Sequence, residues 1–178
     1  MKKLLLHTCC APCGIAVIDE LRAQYELSVL FFNPNIHPEE EYLKRKREVV
    51  KVCAEWGIPT IDQDYLVAEW DAAVRGLENE PEGGKRCLSC FHLRLLHTAQ
   101  VAKKLGFDLF ASTLTTGRNK KAVVINQIGK AAAMRCGVEF YPEDWKKGGR
   151  QDRARLMAKE RNIYRQNYCG CKYSLQKE

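Results

Sequence analysis

The sequence predicts an α/β protein built on a mainly parallel sheet. Two observations predict it. Short apolar runs alternate with longer stretches of helical period, and Gly57, Gly106 and Gly137 sit where a helix should end and a strand begin. The first strand is read at Lys3–His7, followed by a helix over Gly14–Tyr25. A strand at Leu27–Asn33 leads to a helix over Glu39–Trp56, and a strand at Thr60–Gln63 leads to helices over Val67–Leu77 and Cys87–Leu105. Leu109–Thr113 and Val138–Tyr141 are read as strands, Asn119–Cys136 and Gln151–Arg161 as helices. The stretch 163–178 has no clear period and is read as a tail that packs back on a single domain spanning 1–178.

With 178 residues the chain is long enough for one substantial core. Its 46% hydrophobic and 29% charged residues are those of a soluble, ordered protein. No apolar stretch approaches the ~20 residues that span a bilayer. The opening "MKKLLLHTCC" carries too short an apolar run for an export signal. A cytoplasmic protein with no membrane partner is therefore expected. The net charge of +7 favours an anionic partner, nucleic acid first.

The carboxyl ends of the first four strands carry "TCCAPC", "NPNIHP", the pair Asp62 and Asp64, and "TLTTGRNKK". Open parallel sheets bind ligands outside the carboxyl ends of their strands, so a site is expected on that edge. Seven of the nine cysteines fall into three groups: Cys9, Cys10 and Cys13; Cys87 and Cys90; Cys169 and Cys171. An odd count with no export signal argues against disulfides. A C-x-x-C pair can turn both sulfurs toward one metal or cluster, and a C-x-C pair in extended backbone points both side chains one way. Adjacent Cys9 and Cys10 are expected to diverge, each toward its own centre. A 4Fe–4S cluster takes about four cysteines, which leaves three thiols and an open position for a reactive metal. The partition read from spacing gives Cys10, Cys13, Cys87 and Cys90 to the cluster. Cys9, Cys169 and Cys171 then hold a second metal, with Asp64 or water as the fourth ligand. Structural zinc shares these short spacings, and a thioredoxin-like redox pair would use one C-x-x-C alone. Cys53 and Cys136 read as core residues.

His7 ends the first strand and reads as a packed histidine, His37 lies in a loop within reach of a substrate, and Asp64 is placed to cap the helix at Val67. Basic residues cluster in Lys44–Arg47, in Gly117–Lys121 and in Trp145–Arg155. The first reads as a solvated helix face. The second, at a strand's end before a helix, suits phosphate, and the third has two glycines that let backbone approach an anion. The tyrosines of "YRQNYCGCKY" are placed to stack on a base.

"LLHTCCAPC", "FFNPNIHPEEEYLKR", "EPEGGKRCLSCFHLRL", "TLTTGRNKK" and "YRQNYCGC", in this order, resemble the cobalamin-independent epoxyqueuosine reductases, the QueH family. The resemblance covers essentially the whole chain. It implies a Rossmann-like fold akin to the adenine-nucleotide alpha-hydrolase group, a 4Fe–4S cluster beside a further iron, no cobalamin, and tRNA bearing epoxyqueuosine as substrate. An electron donor, unidentified, is implied with it. "TTGRNKK" stands where "SPHKN" is expected, so no role is carried onto Arg118 or Asn119. That fold group often binds ATP through a Gly/Ser-rich loop after the first strand; here the loop is "CCAPCG", and no ATP is expected. Opening the epoxide to an alkene needs two electrons and two protons, and Asp64 and His7 are the acids considered for the leaving oxygen. The rival functions are tRNA thiolation and a non-catalytic, zinc-stabilised RNA-binding module.

Overall fold

The computed structural model describes residues 1–175; the last three residues of the tail lie outside them. Five parallel strands form one sheet: β1 (Lys3–His7), β2 (Glu26–Leu30), β3 (Thr60–Ile61), β4 (Leu109–Ser112) and β5 (Glu139–Phe140). Their order across the sheet is β3-β2-β1-β4-β5. The chain thus works outward from β1 in one direction, then returns to build β4 on its other side. The order reverses between β1 and β4, and a crevice outside their carboxyl ends is where such sheets bind ligands.

Strand side chains alternate between the two faces, and the core divides accordingly. Leu4 and Leu6 of β1, with Leu27 and Val29 of β2, pack under α1 (Ala11–Arg22), α2 (Glu39–Glu55) and α6 (Arg150–Glu160). Leu5, Leu30 and Phe110 face the opposite way, against α4 (Lys85–Lys104) and α5 (Ala122–Cys136). The short α3 (Val67–Val74) sits beside α4 and contributes the fully buried Trp70.

Two helix starts and one helix cap near the site differ from the sequence reading. Helix α1 starts at Ala11, because Cys10 takes an extended conformation as its cap and Pro12 suits the first turn. Cys13 is therefore inside the helix. After β4 the chain makes a 3-10 turn over Thr113–Thr116, capped by the Ser112 hydroxyl accepting from the Leu114 amide, and α5 begins only at Ala122. Helix α3 begins at Val67 with Leu66 as its cap residue and no side-chain cap bond, so the cap expected of Asp64 is not made. Asp64 accepts there through its backbone carbonyl, from Leu66. The tail forms no regular element over residues 163–175.

Candidate metal centre

The turn from β1 to α1 builds the first group of thiols. The extended backbone of Cys10 (φ −167°, ψ 154°) followed at once by helix reverses the chain. Instead of diverging, the Cys9 and Cys10 sulfurs lie 3.9 Å apart. Among the described residues, Cys9, Cys10 and Cys13 are the one group of three or more such donors whose ligand atoms all lie within 4.8 Å of one another. Thiolates around a single tetrahedral ion stand about 3.8 Å apart, given bonds of roughly 2.3 Å, so this set fits one ion. The turn is tight: a Cβ on Gly14 would meet the Thr8 methyl at 2.7 Å. Cys9 also approaches the Thr113 hydroxyl at 4.0 Å, which sets the group in the β1/β4 crevice. Gln166, from the tail, donates its amide to Cys10 Sγ at 2.9 Å. Hydrogen bonds from Cys10 and Cys13 hold the Cys9 thiol well below its ordinary range, while Cys10, bonded to both neighbours, is held above it.

The remaining four thiols converge from two distant segments. Cys87 and Cys90, one turn apart on α4, and Cys169 and Cys171 of the tail line a single cavity, with Trp70, Arg86, Arg94 and Lys120. Cys10 and Cys13 are thus gathered with Cys9 rather than with Cys87 and Cys90, and Cys9 is not joined by Cys169 and Cys171. The cause is the cap geometry at Cys10, which spacing alone does not reveal. The four thiols of the cavity do not crowd as the first three do. A cubane needs this wider spread, because its iron–sulfide core fills the centre and its thiolates stand at the outer corners. The Gly83 amide donates to Cys87 Sγ at 3.2 Å, and burial raises the Cys87 and Cys171 thiols.

The tail is held by a clamp. Arg45, only 2% exposed, pairs with Glu41 at 2.7 Å and donates to the carbonyls of Cys169 (3.0 Å) and Tyr168 (3.2 Å). The His37 amide donates to the Gly170 carbonyl at 2.8 Å, and the Tyr168 hydroxyl returns a bond to the His37 carbonyl. Between the two cysteines, Gly170 has φ +114°, and a Cβ there would lie 2.9 Å from Ile36 and 3.0 Å from Arg45. Only glycine fits this passage. The solvated face read into Lys44–Arg47 is therefore wrong for Arg45. The Tyr164 hydroxyl bonds Glu41 and its ring receives Lys44, so this tyrosine, like Tyr168, is engaged within the fold rather than offered to a base.

Lys120 is half-buried and joins the two groups. Burial opposes its charge, but the facing thiolates of Cys169 and Cys9 prevail and raise its ammonium above the ordinary lysine range. Arg94, 1% exposed, reaches Cys90 Sγ at 4.0 Å and bonds the Asn33 side chain. Trp70 and Arg94 carried no clear signal in the sequence, since each falls in a stretch that reads as ordinary helix, whereas Arg45 and Lys120 lie in basic runs read there as a solvated face and a phosphate-binding turn.

Neither residue considered as an acid lines the cavity. His7 is fully buried, with Nδ1 paired to the Ser112 hydroxyl and Nε2 to the Phe32 carbonyl. Burial, and the charge of Arg94, push its pKa down to about 3, so it stays neutral. Asp64 is exposed, and Asp62 is exposed and paired with Lys46. His37 holds the Asn35 carbonyl through Nδ1, and His97 stacks on Phe32 with its Nε2 on Gln63. Cys53 is fully buried, its thiol pushed up to about 12, and Cys136 packs half-buried at the end of α5. The third basic segment is mostly structural. Arg150 makes two bonds to Glu20, and Lys146 donates to the Lys120 carbonyl at 2.5 Å.

The seven thiols are thus sorted as three and four. The family model of epoxyqueuosine reductase QueH matches residues 4–177. This chain belongs to that family. It is 43% identical over 175 residues to the epoxyqueuosine reductase QueH of Histophilus somni, covering 97% of this chain and 72% of that protein. To the protein of the same name from Thermotoga maritima it is 38% identical, over 98% of this chain and 91% of that one. The family is one of oxidoreductases. Among solved structures it resembles the U34-tRNA thiolase NcsA of Methanococcus maripaludis, solved with its [4Fe-4S] cluster (TM-score 0.59, 17% identity, 98% of this chain, 61% of that one). It also resembles a predicted subunit of tRNA methyltransferase from Methanocaldococcus jannaschii (TM-score 0.54, 12% identity, 90% of this chain and 75% of that one). These two likenesses concern the fold. No helix among the described residues is long and apolar enough to cross a membrane.

Proposed function

We propose that this chain reduces the epoxide of epoxyqueuosine in tRNA to the alkene of queuosine. In this reading a 4Fe–4S cluster is held by Cys87, Cys90, Cys169 and Cys171, and a second iron by Cys9, Cys10 and Cys13. The observation that carries it is the division of the thiols into a tight group of three and a wider group of four that line one cavity with Lys120. The reaction takes two electrons and two protons and releases the epoxide oxygen as water. When bound, the cluster supplies electrons singly and the iron supplies Lewis acidity toward oxygen. The protein's own part is positional. Gln166 and the Gly83 amide orient thiols, Arg45 and Gly170 fix the tail, and Lys120 holds a proton at Nζ on the side shared by both groups. Held by Cys9, Cys10 and Cys13 alone, an ion that prefers four ligands would have one position left for substrate.

The tRNA is met by cations near the carboxyl end of β4. Arg118, Lys121 and Lys147 are exposed there, and neutralising phosphates with them makes binding weaken with salt. The electron donor is an unidentified reductase or small redox protein. The test is anaerobic reconstitution, iron and sulfide analysis, and turnover of tRNA bearing epoxyqueuosine with dithionite as reductant. About four sulfides and five irons per chain with formation of queuosine are expected. Stoichiometric zinc without sulfide, or a loaded protein that leaves the epoxide intact, overturns the reading.

A further inference from the structure

Among the described residues, three buried side-chain N–H groups have no partner: Trp70 Nε1, Arg86 Nε and Arg94 Nε. All three residues are at most 3% exposed. Each of these atoms can only donate, and a buried donor left unpaired is rare and costly. Other nitrogens of the two arginines are engaged. Arg86 Nη1 holds the carbonyls of Leu77, Glu78 and Glu80, and Arg94 holds Asn33 and approaches Cys90. The three are not scattered. All of them line the cavity walled by Cys87, Cys90, Cys169 and Cys171, and Trp70 belongs to one buried cluster with Cys90 and Cys171. Around this cavity three orphan donors stand against one orphan acceptor, the Asn35 amide oxygen, and that surplus calls for acceptors inside it, which cluster sulfides and thiolates supply.

We infer that Trp70, through its indole N–H and with Arg86 and Arg94, donates hydrogen bonds to the sulfurs of the cluster and so raises its reduction potential. The inference rests on the proposed placement of the cluster in this cavity. Adding an electron makes a cluster more negative, and donors and buried cations around its sulfurs stabilise that state more than the oxidised one. The surroundings amplify the effect, since Trp70 and Phe91 keep water from the wall and the local dielectric is low. Trp70 is the informative member because Phe keeps its ring and removes only the N–H, with no charge lost. It is a positioning residue, distinct from the ligands.

The experiment compares anaerobically loaded wild-type protein with Trp70→Phe and, as control, Trp56→Phe at the far end of α2. Each is titrated with reductant at controlled potential and followed by electron paramagnetic resonance, with iron and sulfide counted. The expected result is a lower midpoint potential in Trp70→Phe at unchanged iron and sulfide, with Trp56→Phe matching wild type. Wild-type protein grown with 15N-indole tryptophan, reduced and read by pulsed resonance, should show a 15N coupling to the cluster spin that Trp70→Phe lacks. The labelled wild type decides alone if the variant does not fold. An unchanged midpoint with no 15N coupling, or an equal shift in Trp56→Phe, overturns the inference while the cluster placement stands. A cluster retained undiminished in Cys87→Ser and Cys171→Ser overturns the placement itself.

Discussion

The two groups of thiols are built in opposite ways. Cys9, Cys10 and Cys13 come from one turn of chain, and their closeness follows from an extended residue capping a helix whose first turn holds a proline. Cys87 and Cys90 meet Cys169 and Cys171 only because α4 and the tail are brought together in space, and the tail is held there by Arg45, His37 and the passage at Gly170. The first group depends on a few backbone dihedrals and the second on packing between remote segments. Damage to the clamp should therefore separate them.

The sharpest break is at the ligands. Cys171→Ser or Cys87→Ser should abolish the visible iron–sulfur absorption and the sulfide content. Cys9→Ser should keep about four sulfides and lose about one iron, leaving a brown and inactive protein. Cys53→Ser should retain activity. If Cys9→Ser bleaches the protein while Cys87→Ser does not, the division into three and four is reversed.

Next in size is Arg45→Met, which leaves Glu41 without its buried cation and the Cys169 and Tyr168 carbonyls without a donor. Breaking such a pair costs roughly 3 kcal/mol, read as a lower urea midpoint, with sulfide lost in larger proportion than the iron of the first group. Gly170→Ala should act on the same group, destabilising by roughly 1–3 kcal/mol through its positive φ and the contact with Ile36. Equal loss from both groups in these variants would remove the distinction between a local and a clamped site.

The smallest effect concerns pH. His7 is neutral in the folded protein, with a pKa of about 3 against an ordinary 6.5. The unfolded chain therefore binds an extra proton between those values. The stabilisation is complete above pH 6.5 and falls as pH drops, by up to about 1.4 kcal/mol per unit. Urea unfolding of metal-free protein at pH 7 and pH 5 should show this loss, and His7→Gln should reduce it. A variant with the wild-type slope would assign the loss elsewhere.

Much of the fold was legible in the sequence. β1 falls at Lys3–His7, as its apolar run predicts, and the other four strands overlap their predicted segments within a few residues. That legibility has a physical source, because a parallel strand buried on both faces must be apolar throughout. The seven thiols were legible as a set, and so was the edge of the sheet that receives the β1 turn. Their pairing was not. Spacing treats Cys9 and Cys10 as neighbours on a continuing strand, whereas the chain turns into helix immediately after Cys10. The basic segments misled for a related reason: charge in a sequence does not tell whether a cation meets solvent, as Lys121 does, or closes on a partner inside, as Arg45 and Arg150 do.

By itself the sequence determined the β–α alternation and the supply of seven grouped thiols, because both depend on patterns a few residues long. Only the tertiary structure decided which thiols share a cavity, that Lys120 feels thiols of both groups, and that Trp70, Arg86 and Arg94, each with an unpaired donor, line the larger one. Those features arise where the strand order reverses between β1 and β4 and where the tail is clamped against α2. Contacts between segments so far apart in the chain are fixed by the packing of the whole sheet, which no short stretch encodes.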